Sequence, residues 1–98
     1  MSSLKPNEIN ALMPQISRFF GIIISMYFND HNPPHFHAQY GDDECLIEIE
    51  GLTVIEGRIP PRALGMVIEW ATIHQAELIE NWKKASNLEP LLKILPLR

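Results

Sequence analysis

Three of the chain's four histidines, His31, His35 and His37, fall within seven residues and directly follow Asp30. Imidazole nitrogens and carboxylates are the usual ligands of zinc, non-haem iron and related transition metals. Two histidines with one carboxylate form a recurrent ligand set for them. The same groups serve a second chemistry. Histidine changes charge near neutral pH, and a neighbouring carboxylate raises its pKa, which suits a general acid–base or a phosphate-contacting group. A third reading is structural, with His–carboxylate pairs acting as cross-strand hydrogen bonds worth about 0–1 kcal/mol when exposed. Residue types alone leave all three open, and the elements that position these side chains decide between them.

The histidines sit inside a run of β patterns. Ile16 to Phe19 and Ile22 to Phe28 read as two β segments about a turn at Gly21, the first being the weaker of the two. Asn29 to Pro34 is a stiff connection, since two prolines fix φ and remove two N–H donors. His35 to Tyr40 alternates, with Phe36, Ala38 and Tyr40 on one side and His35, His37 and Gln39 on the other. Cys45 to Glu50 alternates again, and Thr53 to Ile59 follows, with Gly57 marking a bulge or a close backbone approach.

The apolar faces of the two alternating strands must coincide. The simplest hairpin with that parity has a four-residue loop, Gly41 to Glu44, and pairs Tyr40 with Cys45. Counting outward sets His37 opposite Glu48 and His35 opposite Glu50 on the solvent-side face, with Cβ atoms about 4.5–5.5 Å apart. His31 and Asp30 fold over from the proline turn. The candidate ligands are therefore His31, His35, His37, Asp30, Glu48 and Glu50 for a divalent transition metal, and no other cofactor is indicated.

After Pro60 the period changes from two to about 3.6. Leu64, Val67, Ile68, Ala71, Leu78, Trp82 and Ala85 fall on one stripe, which predicts a single amphipathic helix over 61–86, with Pro61 at its first position and Asn87 as its C-cap. Met66, Trp70 and Ile73 form a second apolar strip beside it, the signature of a surface for a small protein partner or a homodimer. His74 lies on the flank of the stripe and reads as a satisfied, partly buried histidine. The tail from Leu88 is apolar but split by Pro90 and Pro96, so it predicts an extended arm that packs on something. The expected architecture is α+β: an antiparallel meander of about four strands covered by one long helix and an extended arm. Residues 1–12 are expected to be a flexible extension and 13–98 a single domain.

Composition excludes several functions. A net charge of −4 and eight scattered basic residues disfavour a nucleic-acid surface, which needs clustered Lys and Arg. Cys45, alone and expected to face the core, excludes an intrachain disulfide, a cysteine-rich zinc site and a nucleophilic pairing with His37. The apolar run Phe19 to Ile24 is too short to span a bilayer, and no leader pattern opens the chain, so a cytoplasmic location is expected. There is no Gly-rich phosphate loop and no nucleophile-elbow serine.

The run Tyr27-Phe28-Asn29-Asp30-His31-Asn32-Pro33-Pro34-His35-Phe36-His37-Ala38, the later Gly57-Arg58-Ile59-Pro60-Pro61-Arg62-Ala63-Leu64 and the series Glu69-Trp70, Glu77-Leu78 and Asn81-Trp82 resemble a small bacterial family, domain-of-unknown-function family 4160. The resemblance runs from about Met13 to Leu97. Members typically begin Met-Pro, here Met13-Pro14, so the first twelve residues resemble an extension or an upstream start. The family implies a compact bacterial domain without an established activity, and a place in a two-gene, toxin–antitoxin-like unit. Two functions follow as expectations. The leading one is a non-enzymatic interaction or regulatory module. The alternative is a small metal-dependent enzyme, a hydrolase or nuclease, working through His31, His35 and His37; a nuclease would draw its basic rim from Arg18, Arg58 and Arg62.

Overall fold

A computed structural model of the chain describes residues 13–98; the expected leader at 1–12 lies outside them. Five strands form one antiparallel meander in sequence order: β1 (Gln15–Phe19), β2 (Ile22–Ser25), β3 (His35–Tyr40), β4 (Asp43–Glu48) and β5 (Val54–Arg58). The weaker first segment is thus a strand, one more than the four expected. Its turn explains why: Phe20 and Gly21 both take positive φ, 48° and 78°, as a two-residue type I′ hairpin loop requires. Gly57 (φ 72°) meets the expected close approach, because a Cβ there would lie 2.3 Å from the Glu44 carbonyl oxygen. The bulge falls two residues earlier, where Leu46 pairs with Glu56 and Ile47 with Val54, leaving Ile55 as the extra residue.

The β3–β4 register differs from the expected one. Tyr40 pairs with Asp43, and the turn is the two-residue Gly41-Asp42 with Gly41 at φ 62°. Consequently His35 stands opposite Glu48 rather than Glu50, and His37 opposite Leu46 rather than Glu48. A two-residue and a four-residue loop share the same parity, so the apolar face survives the shift: Phe36, Ala38, Cys45 and Ile47 are all fully buried. Tyr40, at the strand end, is partly exposed instead of covered by the helix. The opposite face is not the solvent face it was expected to be. His35 and His37 are only 2% and 6% exposed. The β2–β3 connection covers them, with Tyr27 edge-on to the His37 ring at a centroid distance of 4.8 Å.

Two helices replace the single one expected: α1 (Pro61–Ile73) and α2 (Gln75–Ser86), interrupted at His74 (φ −110°, ψ 22°). Side-chain bonds, those of Gln75 long-range, flank the break. Gln75 donates from Nε2 to the Ile49 and Glu50 carbonyls, and His74 Nδ1 pairs with Glu77 Oε1 at 2.6 Å. Bonds from His74 N–H to Trp70 O and from Leu78 N–H to His74 O confine the interruption to one residue, so the buried stripe continues through Ala63, Val67, Ala71, Leu78, Trp82 and Ala85. Leu64 and Ile68 only flank it.

The strip of Met66, Trp70 and Ile73 is not a continuous exposed surface. Trp70 is fully buried, with its ring 5.4 Å from Phe19 and 6.0 Å from Phe36 between centroids, and its Nε1–H donates to the Leu95 carbonyl at 2.8 Å. Met66 is partly buried and Ile73 alone is largely exposed. The reason is the C-terminal arm, extended as expected, which covers a second side of α1. The arm is fastened four times: Asn81 pairs with the backbone of Leu92, Lys93 Nζ donates to the Gln15 carbonyl, Ile94 N–H bonds the Ile16 carbonyl, and Trp70 holds Leu95. Among the described residues no helix is long and apolar enough to cross a membrane.

Candidate metal centre

Asp30 is delivered by the β2–β3 connection. Asn29, a residue type that tolerates the left-handed region, adopts φ 51°, and its N–H is tied to the Ala85 carbonyl at the end of α2. That turn directs the Asp30 carboxylate over the outer face of β3. Its Oδ1 is held by the next residue, accepting from the His31 N–H at 2.8 Å with His31 Nδ1 at 2.9 Å. Its Oδ2 points to the sheet, 3.0 Å from His35 Nε2 and 3.8 Å from His37 Nε2. One ligand atom from each of Asp30, His35 and His37 lies within 4.8 Å of the others.

The far nitrogens of both rings are directed outward. His35 Nδ1 donates to the Pro33 carbonyl at 2.8 Å, so a neutral ring carries its proton there and presents the Nε2 lone pair to Asp30. His37 Nδ1 faces Glu44 Oε1 at 3.9 Å. Trp82 of α2 packs on His35 with ring centroids 5.3 Å apart, closing the site from the helix side. Within this enclosure His35 Nε2 and both nitrogens of His37 make no hydrogen bond. Each buried polar group left so costs about 1–3 kcal/mol, and few native ones go unpaired without a functional reason. A lone pair facing a carboxylate oxygen is repulsive unless a proton or a cation lies between them.

The electrostatics fit a cation. Burial pushes the His37 pKa below its ordinary 6.5, outweighing the nearby Glu44 and Asp30 carboxylates and joined by repulsion from His35. Burial alone would raise Asp30, but the His31 N–H and the neighbouring histidines outweigh it and hold the carboxyl below its ordinary 3.8. Near neutral pH the group is thus an ionised carboxylate beside a neutral His37, the protonation states that metal binding requires. Burial, then Glu44, raises the Cys45 thiol, which keeps it an inert member of the core on the other face.

Of the six residues expected to form the site, the fold gathers three. His31 is exposed and orients Asp30 from outside the group. Glu48 shares the face and pairs with His35 in register, but belongs to no close group with the triad; Glu50 lies in the turn after β4 and is exposed. The Pro33 carbonyl, which orients the His35 ring, and Glu44, whose Oε1 stands 3.9 Å from His37 Nδ1, were missed. The correct hairpin length would have exposed Glu44, because a two-residue loop brings it to the face of His37. A cleft of about 370 Å³ opens beside the triad and continues over Tyr27, Phe28, Leu46 and Glu56. Arg18, Arg58 and Arg62 do not line it.

Fold and site together define a small α+β domain whose meander carries two buried histidines under a half-buried carboxylate at one end of a cleft. The chain belongs to the family described as Domain of unknown function (DUF4160), whose model matches residues 21–83, a span that holds the triad. No curated protein and no solved structure matches the chain.

Proposed function

We propose that this domain binds one divalent transition-metal ion through Asp30 Oδ2, His35 Nε2 and His37 Nε2. The observation that carries the reading is the common orientation of the two rings. Both rings turn Nε2 toward one Asp30 oxygen, at 3.0 Å and 3.8 Å, while His35 Nδ1 donates to the Pro33 carbonyl and His37 Nδ1 faces Glu44 across 3.9 Å without a bond. Metal-ligating histidines give their other ring N–H to a carbonyl or carboxylate, as His35 does to Pro33, which fixes the tautomer and the ring plane. Three protein ligands leave coordination positions free, whereas structural zinc sites close with four. With a cleft beside those positions, the centre suits a small metal-dependent enzyme. A nuclease is disfavoured, because no Lys or Arg lines the cleft to meet a phosphate.

The test is titration of untagged protein with Co²⁺, read by visible absorption. One equivalent per chain is expected to saturate the signal, His35→Ala and His37→Ala to abolish it, and Glu50→Gln to leave it intact. No saturable signal in the parent protein overturns the reading.

A second reading, the interaction module and its two-gene partnership, is supported by one feature. Ile73 and Leu95, each 65% exposed, border a shared shallow cleft on the helix side.

A further inference from the structure

Resting on that metal centre, we infer that its open position takes a small ligand bearing a cationic amine as well as a metal-binding donor, with Glu56 and the Tyr27 and Phe28 rings as the amine subsite. The placement comes from register. Leu46 pairs with His37 on one side and with Glu56 on the other, so the three side chains form a row across the same face of the sheet. At the usual strand spacing the row is about 10 Å long from His37 to Glu56. The triad stands at one end, Leu46 forms the floor, and Tyr27 and Phe28 supply the wall from the β2–β3 connection.

The chemistry of that cleft is one-sided. Once Asp30 is a ligand, Glu56 is the carboxylate left in it; no Lys or Arg lines the cleft, and His31, at the far end, is turned to Asp30. Arg58, two residues away, lines a different cleft with Asp43, Ile59, Pro60 and Pro61. A carboxylate beside aromatic rings attracts an ammonium group and repels phosphate or a second carboxylate. The volume, about 370 Å³, lies at the small end of ligand sites, roughly 300–1,000 Å³, and suits a molecule of amino-acid size. A donor such as a carbonyl, hydroxamate or carboxylate oxygen on the metal, with an ammonium a few atoms away, spans the row from the triad to Glu56.

Two probes that differ by a terminal ammonium separate the amine subsite from the metal. β-Alanine hydroxamate and propionohydroxamate offer the metal the same hydroxamate oxygens, and only the first, kept below the pKa of its amine, carries a terminal ammonium. Each is titrated into the Co²⁺-loaded full chain at low ionic strength, following the visible band, with inorganic phosphate as a third probe. β-Alanine hydroxamate is expected to bind about fivefold more tightly than propionohydroxamate, roughly 1 kcal/mol, and phosphate more weakly than either. Glu56→Gln is expected to bring the hydroxamate ratio to about one while Co²⁺ still saturates at one equivalent per chain; Glu56 is exposed on an edge strand, so the variant folds. Equal affinities in the parent protein, a ratio unchanged in Glu56→Gln, or a preference for phosphate overturns the amine subsite and leaves the metal centre standing. Failure of Co²⁺ to bind the parent protein removes both.

Discussion

Asn81 and His37 are polar side chains buried to a similar depth, 1% and 6% exposed, and the fold treats them in opposite ways. Asn81 is fully engaged: Nδ2 donates to the Leu92 carbonyl at 2.8 Å and Oδ1 accepts the Leu92 N–H at 2.9 Å, so one amide acts as a strand partner for the C-terminal arm. His37 has two ring nitrogens and no hydrogen bond. The Trp70 indole belongs with Asn81, because its one donor is matched to Leu95. The helix–arm region therefore uses buried polarity to fasten the structure, whereas the β3 region tolerates unpaired polarity at a cost to stability. Proteins commonly sacrifice stability where a binding group must stay available.

The largest effect should come from the fastened side. Trp70→Ala removes a fully buried ring and frees the Leu95 carbonyl, and is expected to cost about 3–5 kcal/mol in urea unfolding. Lys83→Ala on the exposed face of α2 is expected to stay within about 0.5 kcal/mol. Next, Asn81→Leu strands both polar groups of Leu92 and is expected to cost about 2–4 kcal/mol. His37→Leu, measured without metal, deletes two unpaired nitrogens and is expected to be neutral or to stabilise by about 1 kcal/mol. Equal losses for Asn81→Leu and His37→Leu would break the contrast between the two regions.

Acid titration sharpens the same contrast. Above 6.5 His37 is neutral folded or unfolded and adds no pH dependence. As pH falls through 6.5, the unfolded chain binds that proton more readily than the folded one, so stability declines until the lowered folded pKa is passed. The depressed Asp30 carboxyl contributes stability that is full above 3.8 and is lost as pH falls through its lower folded value. In metal-free protein, His37→Leu is expected to flatten the decline that begins near pH 6.5 and to leave the loss below pH 3.8; a decline of undiminished slope would assign it to other groups. The smallest effect belongs to Leu88, an exposed residue held at φ 57° in the turn that ends α2, where Glu89 N–H bonds Lys84 O and Leu88 N–H bonds Ala85 O. Leu88→Gly relieves that strain and is expected to gain about 0.5 kcal/mol after the glycine's larger unfolded-state entropy, read as a small rise in the urea midpoint.

Much of this fold was legible because alternation is a strong signal. The apolar faces of β3 and β4 and the docking of the proline-broken arm followed directly from residue pattern. The hairpin register did not, since loops of two and four residues bury the same side chains and differ only in who faces whom. That ambiguity moved Glu48 and Glu50 into the expected site and kept Glu44 out. Trp70 was misread for a different reason: a stripe count assumes that a helix packs against one partner, and α1 is covered by both sheet and arm. The interruption at His74 depends on Gln75 reaching the Ile49 and Glu50 carbonyls, a contact between residues 25 and 26 positions apart that no local period encodes. Within the site, the sequence gathered Asp30, His35 and His37 by proximity alone. Their convergence depends on the left-handed turn at Asn29, and their burial on Tyr27 and Trp82.

The central claim is that the unpaired nitrogens of β3 are held for a cation, and thermal melting tests it most directly. Untagged protein is melted alone and with Zn²⁺, Mn²⁺, Fe²⁺ or Co²⁺, beside His37→Leu under the same conditions. A metal present at a hundred times its dissociation constant adds about 2.7 kcal/mol to the folded state, which in a domain of this size is a rise of roughly 10 °C or more. At least one metal is expected to give that rise in the parent protein and none in His37→Leu, although the variant starts from an equal or higher metal-free melting temperature. A flat series with every metal, or a rise that survives in His37→Leu, would contradict the account.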